Sequence, residues 1–96
     1  MAFNLRVHLE NYEFRGLRTG EGKNGEWMSI VLEDPEEARQ LDVSIPRDMH
    51  REVRELSLAK GDNLVLDVRA YAGPDYSRVS LIKITSIVDA NGEVQL

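Results

Sequence analysis

From near Phe3, the apolar residues Leu5, Val7 and Leu9 alternate with Arg6, His8 and Glu10. A period of two is that of a half-buried strand. The apolar positions then shift parity to Tyr12 and Phe14. A one-residue change of phase predicts a bulge or sharp coil inside one long strand, with Gly16 giving the bend room. The stretch Thr19-Gly20-Glu21-Gly22-Lys23-Asn24-Gly25-Glu26 holds three glycines and an Asn-Gly pair, which predict a flexible hairpin loop. A second strand is expected from about Trp27 to Glu33, with Met28, Ile30 and Leu32 on one face and Trp27, Ser29 and Val31 on the other. After the turn Asp34-Pro35-Glu36-Glu37, a third strand covers about Arg39 to Ile45, with Leu41, Val43 and Ile45 inward.

Pro46 opens the stretch PRDMHREVRELSLAKG, and proline suits a first helical turn. Met49, Val53 and Leu56 recur at i, i+4 and i+7, one stripe of an amphipathic helix. His50 lies off that stripe and is expected to be exposed, and Gly61 is the expected stop. A fourth strand runs from Asn63 to about Tyr71, and a loop follows at Ala72-Gly73-Pro74-Asp75. A fifth strand covers about Ser77 to Val88. The tail DANGEVQL carries another Asn-Gly turn and either adds a short edge strand or frays.

The order strand, strand, strand, helix, strand, strand predicts an all-β domain with one helix. It is the plan of a five-stranded, partly open Greek-key barrel, the OB-fold, in a single domain over residues 1–96. A ferredoxin-like alternative needs a helix after the first strand, and the glycine-rich stretch there cannot supply one.

Composition narrows the function classes. Hydrophobic residues are 42% and charged residues 30%, as in soluble globular chains. The absence of cysteine excludes a disulfide scaffold, a thiolate zinc site and a cysteine nucleophile. Two distant histidines, His8 and His50, argue against a histidine metal site. No apolar run approaches the ~18–20 residues of a membrane span, and MAFNLRVHLE is not a signal peptide, so a cytoplasmic protein is expected. Twelve Lys and Arg stand against seventeen Asp and Glu, a net charge of -5. That balance counts against coating duplex DNA by bulk charge, but a local basic groove on an acidic body can still hold a strand.

Three segments carry a resemblance: GEGKNGEWMSIVLED, a loop leading into an aromatic-bearing strand; LAKGDNLVLDVRAY, a turn and the fourth strand; and SRVSLIKITSI, the closing strand. With these the chain resembles small OB-fold single-stranded-DNA-binding proteins of the prokaryotic, phage or mobile-element kind, over roughly Asn4 to Val88. It is shorter than the bacterial housekeeping type and lacks that type's long tail with an acidic, aromatic tip. The resemblance implies a sequence-tolerant single-stranded-DNA-binding protein of replication or recombination that self-associates and needs no cofactor.

Strand binders need stacking platforms and cations that follow the backbone. In an OB-fold the groove lies on the second and third strands, flanked by the first–second and fourth–fifth loops. Trp27, Tyr71 and Tyr76 are the candidate platforms. Arg15, Arg18, Lys23, Arg69, Arg78 and Lys83 are the candidate phosphate contacts. Plainer roles stand beside these. Trp27 could equally fill the core, although its parity with Ser29 points outward. Tyr71 and Tyr76 could pack loops, and the cations are interspersed with Glu13, Glu21, Glu26, Asp67 and Asp75 as on any mixed-charge surface. Tyr12 and Phe14 suit the core or a dimer contact. His8, on the polar face of the first strand, could touch a phosphate or face water.

The run Glu33 to Glu37 lacks the ligand spacing of a calcium loop. Gly20, Gly22 and Gly25 are followed by no helix and form no phosphate loop. No serine has a histidine base that spacing can identify. An enzyme with a small-molecule substrate is therefore not expected. The rival to strand binding is a small barrel that serves as a protein-interaction module or accessory subunit without nucleic-acid binding.

Overall fold

β1 (Phe3–Gly22) is one continuous strand shared between two neighbours. The computed structural model describes residues 3–74 and 77–96. The other elements are β2 (Gly25–Asp34), β3 (Arg39–Ser44), a 3-10 turn (Arg47–Met49) running into α1 (His50–Glu55), β4 (Asn63–Ala72) and β5 (Ser77–Val88). The strands close into a barrel in the order β1-β2-β3-β5-β4, with β4 returning to β1. Every pairing is antiparallel except β3 with β5, which meet in parallel at Ser44 and Ser80. This is the OB-fold plan that the order of elements predicts.

The phase change in β1 marks its bend. The strand pairs with β4 from Phe3 to Glu13 and with β2 from Glu13 to Gly22. Its register shifts between Leu9 and Tyr12 on one side and between Phe14 and Gly16 on the other. Asn11 takes a left-handed conformation, φ 59°. Asparagine tolerates that region better than most residues. Gly16 is not what makes room, because a side chain there would meet nothing within 4 Å. The bend is held by the backbone of Phe14 instead. Its N–H donates to the Asp62 carbonyl (2.8 Å), and its own carbonyl accepts from Gly61 N–H (3.0 Å). The buried Asp62 carboxylate accepts from Ala59 N–H (2.9 Å), which fixes the turn that Phe14 pairs with.

The inward positions follow the period of two. Met28, Ile30, Leu32, Val43, Leu64, Leu66 and Val68 have almost no exposure and fill the barrel. From α1, Val53 is buried, while Met49 and Leu56 pack against the core beside it. Truncating a well-packed core leucine typically costs ~2–5 kcal/mol.

Three further expectations are corrected. The stretch after Thr19 is no flexible loop. The β1–β2 ladder continues through Gly20–Trp27 to Gly22–Gly25 and leaves only Lys23 and Asn24 as the turn. Gly25 takes the positive φ of 104° that such a tight reversal needs. The helix ends at Glu55, well short of Gly61. Leu56 and Ser57 N–H close short 3-10-type bonds onto Val53 and Arg54, and Ser57 turns left-handed (φ 51°). That reversal brings Leu58 back onto the core. His50 is buried, because the short helix starts against β2. Its Nε2–H donates to the Ile45 carbonyl (2.9 Å).

The tail folds back along β5. The Asp89 carboxylate accepts from Asn91 and Glu93 N–H (2.9 Å each), and Val94 makes a single β-bridge with Val88. Among the described residues no helix is long and apolar enough to cross a membrane.

On the outer face, Asp67 of β4 ties down the first half of β1. It accepts from Arg6 Nη2 (2.8 Å) and pairs with His8 Nδ1 (2.7 Å), while His8 Nε2 reaches Glu10 (3.1 Å). The Asp67 and Glu10 hydrogen bonds raise the imidazole above its ordinary 6.5. The Arg6 hydrogen bond, then the His8 one, holds the Asp67 carboxyl below its ordinary 3.8. His8 therefore contributes fully below pH 6.5 and its share fades as pH rises through the raised value. Asp67 contributes fully above pH 3.8 and its share fades as pH falls. Both act together between those two values. Raising the pH from about 6 to about 8.5 should lower the melting temperature of the native chain more than that of His8→Gln. Parallel thermal melts check this, and identical losses in both proteins would overturn it.

Candidate functional site

The outer face of β2 opens with Trp27, which is 44% exposed. This resolves the open choice in favour of the surface. The indole covers Gly20, its partner across the ladder; a Cβ on Gly20 would stand 2.6 Å from the ring. The glycine thus serves as a seat for the tryptophan. Beyond Trp27 the outer face continues through Ser29, flanked by Arg18 of β1 and Ser44 of β3.

Beside Trp27 lies a cleft of about 320 Å³ between the β1–β2 turn, the β3–α1 connection and the start of β5. Lys23, Ser44, Arg47, His50 and Arg78 line it with the indole. Arg78 donates to the Ser44 hydroxyl (2.9 Å). Arg47 donates to the Asn24 carbonyl at the tip of the turn, so the connection is tied to the hairpin. Its guanidinium would lie 3.0 Å from a Cβ on Gly25. Glu26 also borders the cleft, but its carboxylate is held by Arg54 and sits 3.9 Å from His50 Nδ1.

The charges divide in an informative way. Arg6, Arg15, Arg18, Arg39, Arg51 and Arg54 each pair with a carboxylate. Among the described residues, Lys23, Arg47, Lys60, Arg69, Arg78 and Lys83 have no such partner, and three of them, Lys23, Arg47 and Arg78, line this cleft. Their charge is uncompensated there, although the chain as a whole is acidic. An aromatic face, a hydroxyl and three uncompensated cations can take an anionic ligand that carries a flat ring.

The other sequence candidates are scattered. Tyr71 is half-buried near the end of β4, directly across the ladder from Arg78, and so borders the same end of the barrel. Tyr76 lies outside the described residues. Arg18 is on the outer face of β1 but binds Asp42 (2.9 Å). Arg15 sits at the bend, between Glu13 (3.3 Å) and Glu33 (3.6 Å), seven residues before Gly22. Arg69 is on the β4 face towards β1 and donates to the Asn4 side chain (3.0 Å). Lys83 borders a separate apolar groove between α1 and β5.

Sequence reasoning missed Arg47, Ser44 and His50. Arg47 follows Pro46 in what reads as a helix start, and nothing local marks it as a neighbour of Lys23. The one usable signal was its place in the connection that leaves the third strand.

Gly20→Val should push the indole off its seat and red-shift tryptophan emission, while Gly16→Ala, into open space, should leave the spectrum unchanged. Fluorescence of the two variants checks this; an unshifted spectrum in the valine variant would remove Gly20 from that role. Compared with known protein families, characterised proteins and solved structures, the chain matches none.

Proposed function

We propose that this chain binds single-stranded DNA with little sequence preference, across the outer face of β2 and β3 and into the adjoining cleft. One observation carries the reading: the cations without carboxylate partners at Lys23, Arg47 and Arg78 converge beside an exposed tryptophan. Phosphates satisfy the cations, and a base stacks on Trp27 whatever its identity, because every base has a π-face. Tyr71 borders the same region and extends the stacking surface. Strand protection in replication or recombination is the role such binding serves, and self-association along a strand suits it.

A second reading has its own support. Phe3 and Leu5 at the start of β1 are 49% and 55% exposed. Exposed apolar side chains on an acidic barrel suit a contact with another protein, whether a partner or a second copy.

Titration with an unmodified deoxythymidine oligomer over a range of salt separates the two. Pairing all three cleft cations with phosphate charge gives a log–log salt slope of up to about 2. Trp27→Ala should weaken binding by ~1–3 kcal/mol and leave the slope unchanged. Arg78→Ala should lower the slope by roughly 0.7. No binding at low salt would leave the protein-interaction reading in its place.

A further inference from the structure

Beside the cleft at Trp27, one arginine ties two lining segments together. Arg47 bridges the β3–α1 connection to the Asn24 carbonyl, and its guanidinium lies against Gly25. A strand that crosses β2 and β3 and enters this cleft meets that bridge. The volume, about 320 Å³, falls at the lower end of the range for small-ligand pockets and suits roughly one nucleotide. The charge also exceeds what an internal phosphodiester needs. Among the described residues, Lys23, Arg47 and Arg78 line the cleft without carboxylate partners, whereas a phosphodiester carries a single negative charge. A phosphomonoester carries about -1.5 to -2 near neutral pH and offers three acceptor oxygens.

We infer that this cleft is an end-binding pocket: it takes the terminal nucleotide of a single strand, with the base on Trp27 and a terminal phosphomonoester among Lys23, Arg47 and Arg78. The inference rests on the strand-binding reading and adds a preference for phosphorylated ends. Guanidinium groups suit this recognition, since they donate paired hydrogen bonds to phosphate oxygens. Arg47 then has two alternative acceptors, the Asn24 carbonyl and the phosphate, and the terminal phosphate lies beside that bridge. Among the described residues Glu26 is the one carboxylate on the rim, and Arg54 pairs with it.

The test uses three deoxythymidine oligomers of equal length with an internal fluorophore: one with hydroxyls at both ends, one with a 5′-phosphate and one with a 3′-phosphate. Anisotropy titrations at moderate salt are run on the native chain, Arg47→Ala, Arg78→Ala and, as a control cation outside the cleft, Lys60→Ala. One phosphorylated oligomer should bind about tenfold or more tightly than the hydroxyl-ended one. The advantage should vanish in Arg47→Ala and Arg78→Ala and persist in Lys60→Ala. Which phosphorylated oligomer shows it gives the polarity of the bound strand. Thermal melts establish that the variants fold, and Arg47→Lys, which keeps the charge but loses the paired donors, should retain only part of the advantage. Equal affinity for all three oligomers would overturn the end-binding inference and leave strand binding intact. An advantage that survives Arg47→Ala and Arg78→Ala would move the end-binding site out of this cleft. Failure to bind any oligomer would overturn both readings.

Discussion

A twenty-residue strand can pair along its whole length with one neighbour, or bend and pair with two. β1 bends, and the closure of the barrel depends on it. The cost is a break in each ladder and a left-handed Asn11. The two backbone hydrogen bonds between Phe14 and the Gly61–Asp62 turn span that break, so no donor or acceptor of Phe14 is left unpaired where its side chain is buried. Because β1 bends there, its second half leads to the hairpin with β2, and the tip of that hairpin comes up against the chain leaving β3. The cleft lies where those two segments meet.

Charge placement matters more in this molecule than charge balance. Arginines on the β1, β3 and α1 surfaces are largely neutralised by neighbouring carboxylates, as cross-strand and helical spacing allows. Exposed pairs of this kind contribute little to stability. Their effect here is to neutralise those arginines where they stand. Lys23, Arg47 and Arg78 make a local positive site on an acidic protein, set beside an indole that a glycine across the ladder has made room for. A single carboxylate in the wrong rotamer could have cancelled it. Glu26 is the nearest, and Arg54 holds it.

The strands were legible because each is buried on one face, so the period of two had to appear in the residues themselves. Leu64, Leu66 and Val68, or Met28, Ile30 and Leu32, admit no other register without exposing their whole apolar set. The phase change at Tyr12 announced the bend for the same reason. The loops were less legible. Three glycines suggested mobility in the first hairpin, yet one of them lies beneath Trp27 and another makes the turn. The helix outran its true end on paper because Met49, Val53 and Leu56 continue a helical stripe, while the reversal at Ser57 is imposed by the need to return Leu58 to the core.

The sequence by itself determined the order of elements, the inward residues of each strand and the outward parity of Trp27, since all of these are set by spacing along the chain. It could not determine which cations are free. Arg18 and Arg78 look alike in the sequence; one pairs with Asp42 across two strands, and the other, among the described residues, donates to a serine hydroxyl. Nor could it bring Arg47 to Lys23. Those relations run across the barrel between segments far apart in the chain. They exist only once β3 and β5 have met and the ring has closed, and only the tertiary structure decided them.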